Sequence, residues 1–168
     1  VDARGVTLHA IESRSLVRDL LAERRAEHPE REVQPFALPS IPDLRMTRRL
    51  VGEATLAGDD VHRWFDDAIG LTGDWRHAGP VWSIPYRTIC AVENANLLVA
   101  GRCISSAGRA WDVTRAIPTC AVTGEAAGVA AAVARDAGDA RSVDVAGLQE
   151  LLRSRGAILD ARLVEPVG

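Results

Sequence analysis

The sequence contains no lysine. All 20 of its basic residues are arginine, against 23 acidic residues, and the formal net charge is -3 over 168 residues. The absence excludes a phosphate-gripping P-loop lysine, a Schiff-base lysine and a serine–lysine nucleophile pair. The mild acidity argues against non-specific nucleic-acid binding, which needs a basic face. There is one tyrosine and one methionine, and the three cysteines Cys90, Cys103 and Cys120 form no C-x-x-C pair. An odd count without a dithiol motif fits a reducing, cytoplasmic setting rather than a disulfide framework. No run of apolar residues reaches the ~18–20 needed to span a bilayer, so no membrane segment is expected. No His, Cys, Asp or Glu cluster has metal-ligand spacing. The pattern G-x-G-x-x-G occurs nowhere.

Local patterning is legible in parts. Val6–Ile11 reads as a short strand. Leu16, Leu20 and Leu21 then recur at helical spacing, which predicts a helix from about Ser13, as N-cap, to Glu27 before Pro29. Pro35, Pro39 and Pro42 exclude a long helix over residues 33–44. Arg45–Leu56 reads as strand with a turn at Gly52, followed by a short helical turn near Asp59–Val61. Short strands and turns are expected between Asp66 and Tyr86. Asn96–Gly101 reads as a strand buried on both faces, as in a parallel sheet. Pro118 opens a helix of small residues to about Ala134, proline being favoured in the first turn. Val145–Arg155 predicts an amphipathic helix ended by Gly156, and Ala157–Val164 a last strand.

Two features carry chemistry. A buried strand ending in glycine lets a ligand touch backbone. A helix N-terminus offers free N–H groups and about half a positive charge. Gly124 and Gly128, one turn apart, leave the Pro118 helix with little side-chain bulk. Glycine costs a helix roughly 1 kcal/mol, so the pair points to close approach of a sheet, a helix or a ligand. The residues leave open whether this is packing or binding.

Asn96–Ser105 (NLLVAGRCIS), Trp111–Cys120 (WDVTRAIPTC) and Gly124–Ala132 (GEAAGVAAA) resemble the C-terminal end of FAD-dependent oxidoreductases of the glutathione-reductase-like type. They are most similar to a bacterial group with NLLVAGR-x-IS, R-x-x-P-T-C and G-x-A-A-G. Ile41–Glu53 (IPDLRMTRRLVGE), Asp67–Trp75 (DAIGLTGDW) and Ile84–Arg87 (IPYR) match the same group. A more distant likeness to fumarate-reductase-type flavoproteins covers Arg115 to Ala132.

The resemblance implies an α/β fold: the C-terminal part of a two-domain, Rossmann-like FAD-binding protein with part of its substrate-side sheet. Residues 1–90 would belong to the substrate-side domain and 91–168 to the FAD-binding domain. Ala100, Gly101, Arg102, Ile104 and Ser105 would lie by the ribityl chain of FAD. Many relatives carry an acidic residue where Arg102 stands, so a ribityl hydrogen bond must be made differently here. Pro118, Thr119, Cys120 and Gly124 would face the flavin ring. Arg115 becomes a candidate for substrate or flavin contact, with a surface ion pair as its alternative. Arg45 and Arg48, with Arg49, form a basic cluster that an anionic substrate could meet, with a solvated or ion-paired strand face as its alternative. His62 and His77 are candidate proton carriers, or plain surface residues.

The family's N-terminal dinucleotide motif is missing, so a partner chain or segment carrying G-x-G-x-x-G is expected. The Leu97–Val99 strand would otherwise lack neighbours. The expected function is hydride transfer between a small organic molecule and FAD, inactive without that partner. The alternative from another class is a non-catalytic binding or assembly module derived from a flavoprotein fragment. A hydrolase using Ser105 or Cys103 is poorly supported, since there is no G-x-S-x-G elbow.

Overall fold

A computed structural model describes residues 2–38 and 44–166, apart from the side chains of residues 136 and 137. Pro39, Pro42 and the Ile41–Asp43 part of the basic segment lie outside the described residues. The chain divides into two compact units, Val1–Thr47 and Arg48–Gly168.

The first unit is built on helix α1, Ala3–Glu27. It corrects two expectations at once: there is no strand at Val6–Ile11, and Ser13 is not the N-cap. Asp2 caps instead, its Oδ1 accepting from the Gly5 N–H at 2.7 Å. That satisfies one of the helix's orphan donors eleven residues earlier than expected. Thr7 Oγ1 donates to the Ala3 carbonyl at 2.9 Å, so even a β-branched residue here bonds within the helix. Past the helix, Arg25 Nε donates to the Val33 carbonyl at 2.9 Å and holds the returning strand of chain.

The second unit carries the core. Strands β1 (Ala68–Gly73) and β2 (Val81–Pro85) pair antiparallel, with Leu71 opposite Ser83 and Gly73 opposite Val81. Helices α2 (Gly108–Thr114), α3 (Ile117–Ala137) and α4 (Val145–Ser154) follow. Trp82, Ile84, Ile89, Ile104, Val113, Ala126 and Ala130 are fully buried and Leu148 and Leu152 nearly so. Residues from both sides of position 90 thus share one core.

The approach of α3 to β1 explains a glycine. A Cβ at Gly70 would overlap Val122 Cγ1, so only glycine lets the strand sit this close to the helix. Pro118 stands in the first turn of α3, and Gly138 ends the helix at φ 74° with its N–H on the Ala134 carbonyl. Asp144 caps α4. These three helix ends match the sequence reading to within a few residues.

Three expected strands are corrected. Arg45–Leu56 makes only isolated bridges, Gly52 to Ala91 and Leu56 to Ser106. Asn96–Gly101 makes a single antiparallel bridge, Cys90 to Leu98, and Leu97 is 45% exposed. Ala157–Val164 holds a 3-10 turn at Ala161–Leu163. The reason is common to all three. A strand needs a neighbour along its length to satisfy its backbone, and the described residues supply one only to β1 and β2. The α/β character stands, as a mix of helices with a small two-stranded sheet.

Ile117–Arg135 in α3 is long and apolar enough to cross a membrane by length and composition. A count of consecutive large apolar residues overlooks it, because alanine raises mean hydropathy without bulk while glycine and threonine interrupt the run. In this fold one face of α3 packs on β1 through Ala126 and Ala130, and its Thr119 hydroxyl bonds Thr72 Oγ1 at 2.7 Å. Core helices meet the same length and composition test.

Gln149 ties α4 to the sheet. Its Nε2 donates to the Asp66 carbonyl at 2.8 Å and the Ala68 carbonyl at 2.9 Å. Gln149→Leu should therefore cost about 1–2 kcal/mol in urea unfolding, because the Ala68 carbonyl is left buried without its donor. A cost near zero would show that water replaces the amide.

Candidate functional site

The Ala100–Cys103 turn and the start of α3 form one structure. Gly101 adopts φ 80°, a conformation L side chains rarely take, and turns the chain sharply after Ala100. Its N–H donates to Thr123 Oγ1 at 3.0 Å, and Thr123 in turn donates to the Thr119 carbonyl at 3.0 Å. A Cβ built on Gly101 would meet Cys120 at 3.9 Å. The turn is thus pinned against the first two turns of α3.

The N-terminus of α3 is chemically open. Ala116 is the N-cap and has no side-chain oxygen, and the first turn holds no acidic residue. Its N–H groups are uncapped from within, and they carry the helix's positive end. Ile117 is 86% exposed beside them. Burial pushes the Cys120 thiol up, and the Arg102 guanidinium offsets part of that. A protonated thiol is the resting form, and nothing here marks it as a nucleophile. Cys90 is pushed up to about 11 by burial and is structural.

An ion-pair chain runs from the β hairpin to this helix end. Asp74 follows β1 and its side chain is fully buried. It accepts from Arg76 Nε at 2.9 Å and from Arg76 Nη2 at 3.2 Å, and from Arg109 Nε and Nη2 at 3.1 and 3.0 Å. The Arg76 hydrogen bond, with Arg109 beside it, holds the Asp74 carboxyl well below the usual carboxylate range against the opposing effect of burial. Arg76 Nη1 continues to Asp112 at 3.4 Å, and Asp112 also accepts from Arg115 Nη2 at 3.4 Å. Arg115 Nε is buried with no hydrogen-bond partner. Arg109 also lies over the Trp82 ring, 5.5 Å from its centroid.

The expected site residues separate into groups. Ala100, Gly101, Arg102, Pro118, Thr119 and Cys120 come together at the turn and helix start, with Arg115 one residue before the N-cap. Ile104 and Ser105 are fully buried. The Ser105 hydroxyl bonds Thr55 Oγ1 at 2.9 Å and accepts from Arg49 Nη1 at 3.3 Å, and a Cβ at Gly52 would come within 2.7 Å of Ser105 Cβ. These two support the turn from behind. Gly124 and Gly128 have nothing within 4 Å of a built Cβ, so neither is demanded by packing inside this chain. Arg45 belongs to the first unit and Arg48 opens the second, and both are exposed. His62, at φ 62°, donates from Nδ1 to the Val164 carbonyl at 2.7 Å and is a structural clasp. Among the described residues no group of His, Cys, Asp and Glu could hold a metal.

Sequence reasoning missed Asp74, Arg76, Arg109 and Asp112. The signals were the Asp74-x-Arg76 spacing in a turn and charges three apart at 109, 112 and 115, which share one helical face.

No curated protein and no solved structure matches the chain significantly. The family model for FAD dependent oxidoreductases matches residues 1–152. The chain therefore belongs to the FAD-dependent oxidoreductase family, whose cofactor is FAD.

Proposed function

We propose that this chain supplies the flavin-ring side of the FAD site in an oxidoreductase acting on a small organic substrate. The supporting observation is the uncapped, acid-free N-terminus of α3 set against the Gly101 turn. An electron-rich ring edge fits such a helix end, whose N–H groups favour negative charge without reorganising. Bound FAD supplies hydride acceptance or donation.

The chain's own residues do the rest. Ala100, Gly101 and Arg102 border the ribityl chain, Gly101 giving backbone access where a side chain would stand off the ligand. Pro118 starts the helix without using a donor and leaves the helix's positive end to the ring, while buried Thr119, and Cys120, whose N–H closes the first turn on the Ala116 carbonyl, hold that end in place. Gly124 keeps the next turn flat. Arg115 stands beside that helix end and orients an anionic substrate, while Arg45 and Arg48 add positive charge on the substrate-side portion. Residues 1–90 form that portion and 91–168 the flavin-side portion of a Rossmann-like fold. The ADP half of FAD is held by a dinucleotide-binding segment or partner chain carrying G-x-G-x-x-G, which packs on the open face of α3. The setting is cytoplasmic, with no nucleic acid and no membrane involved.

Absorbance tests this. This chain purified by itself should be colourless, and with the dinucleotide-binding part it should absorb near ~450 nm as flavoproteins do. A yellow isolated chain would place the ADP site within it. A colourless complete assembly would overturn the flavin role and leave a non-catalytic assembly module.

A further inference from the structure

The two carboxylates of the ion-pair chain hold their arginines differently. Asp74 is sealed, with side-chain exposure of 0% and four guanidinium bonds of 2.9–3.2 Å. Asp112 is 35% exposed and makes one bond to Arg76 and one to Arg115, both at 3.4 Å. That length is at the outer limit of a charge-assisted hydrogen bond, which is ordinarily 2.7–2.9 Å. One carboxylate sits between two guanidiniums and fully satisfies neither, and Arg115 Nε has no partner. Three guanidiniums (Arg76, Arg109, Arg115) face two carboxylates here, which leaves one positive charge uncompensated.

We propose that Arg76 and Arg115 form a binding site for the carboxylate of a small molecule, and that Asp112 occupies it when that molecule is absent. Asp112 lies in α2 with its side chain reaching water, so it leaves by a rotamer change that costs little burial. The incoming group then takes the two guanidiniums. A planar carboxylate is the chemical class that fits, because it reproduces the group it displaces and matches the flat guanidinium fork. A phosphate or sulfate concentrates two charges on one group, where each carboxylate of a ligand such as succinate carries one, and so meets more repulsion from Asp74 and Asp112. Trp75, 72% exposed and with Arg76 at 5.7 Å from its ring centroid, offers an apolar plate beside the site for the rest of the molecule. The competing Asp112 also sets specificity. It raises the concentration at which a lone anion binds, so ligands need further contacts. This rests on the flavoprotein reading only in equating that carboxylate with the substrate's.

The test uses this full chain and tryptophan fluorescence, which Trp75 reports from the site. Succinate and sulfate are titrated at constant ionic strength. Asp112→Asn should tighten succinate binding roughly tenfold, the effect of removing an internal competitor held by two partly exposed ion pairs. Arg76→Gln and Arg115→Gln, each in the Asp112→Asn background, should remove the gain. Asp112→Ser provides the same test if the amide variant misfolds, with near-UV circular dichroism as the control for folding. Unchanged or weaker succinate binding in both Asp112 variants overturns the proposal, since a purely structural Asp112 would only lower thermal stability. Sulfate bound as tightly as succinate overturns the carboxylate assignment. No flavin enters the measurement, so its failure is distinct from a colourless assembly.

Discussion

Gly128→Leu is expected to stabilise this chain while weakening the proposed flavin-bearing assembly by about 10- to 100-fold. The two effects have opposite signs because they act on different partners. Within the chain, a Cβ at Gly128 meets nothing within 4 Å. Leucine there relieves the entropic cost of a mid-helix glycine, a gain of roughly 0.5–1 kcal/mol. Gly128 also borders two open grooves on α3, one shared with Leu97, Leu98 and Ala131 and the other with Gly124, Val133 and Leu151. If this face receives the dinucleotide-binding part, a leucine must be forced into a packed interface. Overpacking of that kind costs typically ~1–3 kcal/mol, which is the stated loss in affinity. Thermal unfolding of the isolated chain and retention of 450-nm absorbance by the assembly, near ~450 nm as above, read the two arms. A raised melting temperature with undiminished assembly would show that the face stays open in the working protein.

Asp74→Asn is expected to cost about 2–3 kcal/mol and to flatten the acid side of the stability profile. Breaking a buried ion pair costs about 3–5 kcal/mol when the remaining charge is trapped. Here Arg76 and Arg109 remain 34% and 44% exposed and regain water, which lowers the figure. The pH dependence follows from the direction of the carboxyl's shift. Asp74 ionises below its unfolded value of about 3.9, so its contribution is complete above that pH. As the pH falls through the folded value, protonation removes it. The gap between wild type and variant should therefore be widest near neutrality and close in strong acid. Urea midpoints at a series of pH values measure it, and a constant gap down to strong acid would mean that Asp74 acts through shape alone. The loss should extend to anion binding at Arg76, because Asp74 fixes the orientation of that guanidinium.

The helix ends were legible in the sequence because their causes are local. Pro118 opening α3 and Gly156 at positive φ after α4 act within a turn of themselves. Asp2 is equally local and caps α1 eleven residues before Ser13, the N-cap that the leucine spacing predicts. The glycine at the end of the NLLVAG run was also legible as a turn, and Gly101 is one. Its preceding residues were not legible as an irregular segment, since an apolar run has the same letters whether or not a neighbouring strand exists.

The ion-pair chain shows the other limit. Asp74 lies 35 residues from Arg109 in sequence, and arginine and aspartate are this protein's commonplace residues. Only the packing of α2 against the end of the β1–β2 hairpin closes water away from Asp74 and turns a surface charge into a buried anchor. Likewise Ser105 reads as a candidate ligand contact in the motif, and the approach of Gly52 and Thr55 buries its hydroxyl. The sequence by itself determined the start of α3 and the end of α4, the family and, through the absence of lysine, that any cation offered to an anion is a guanidinium unless a histidine is protonated. Only the tertiary structure decided which guanidiniums are committed and which are loosely held. Commitment depends on distance and exclusion of water, and both arise where segments remote in sequence meet.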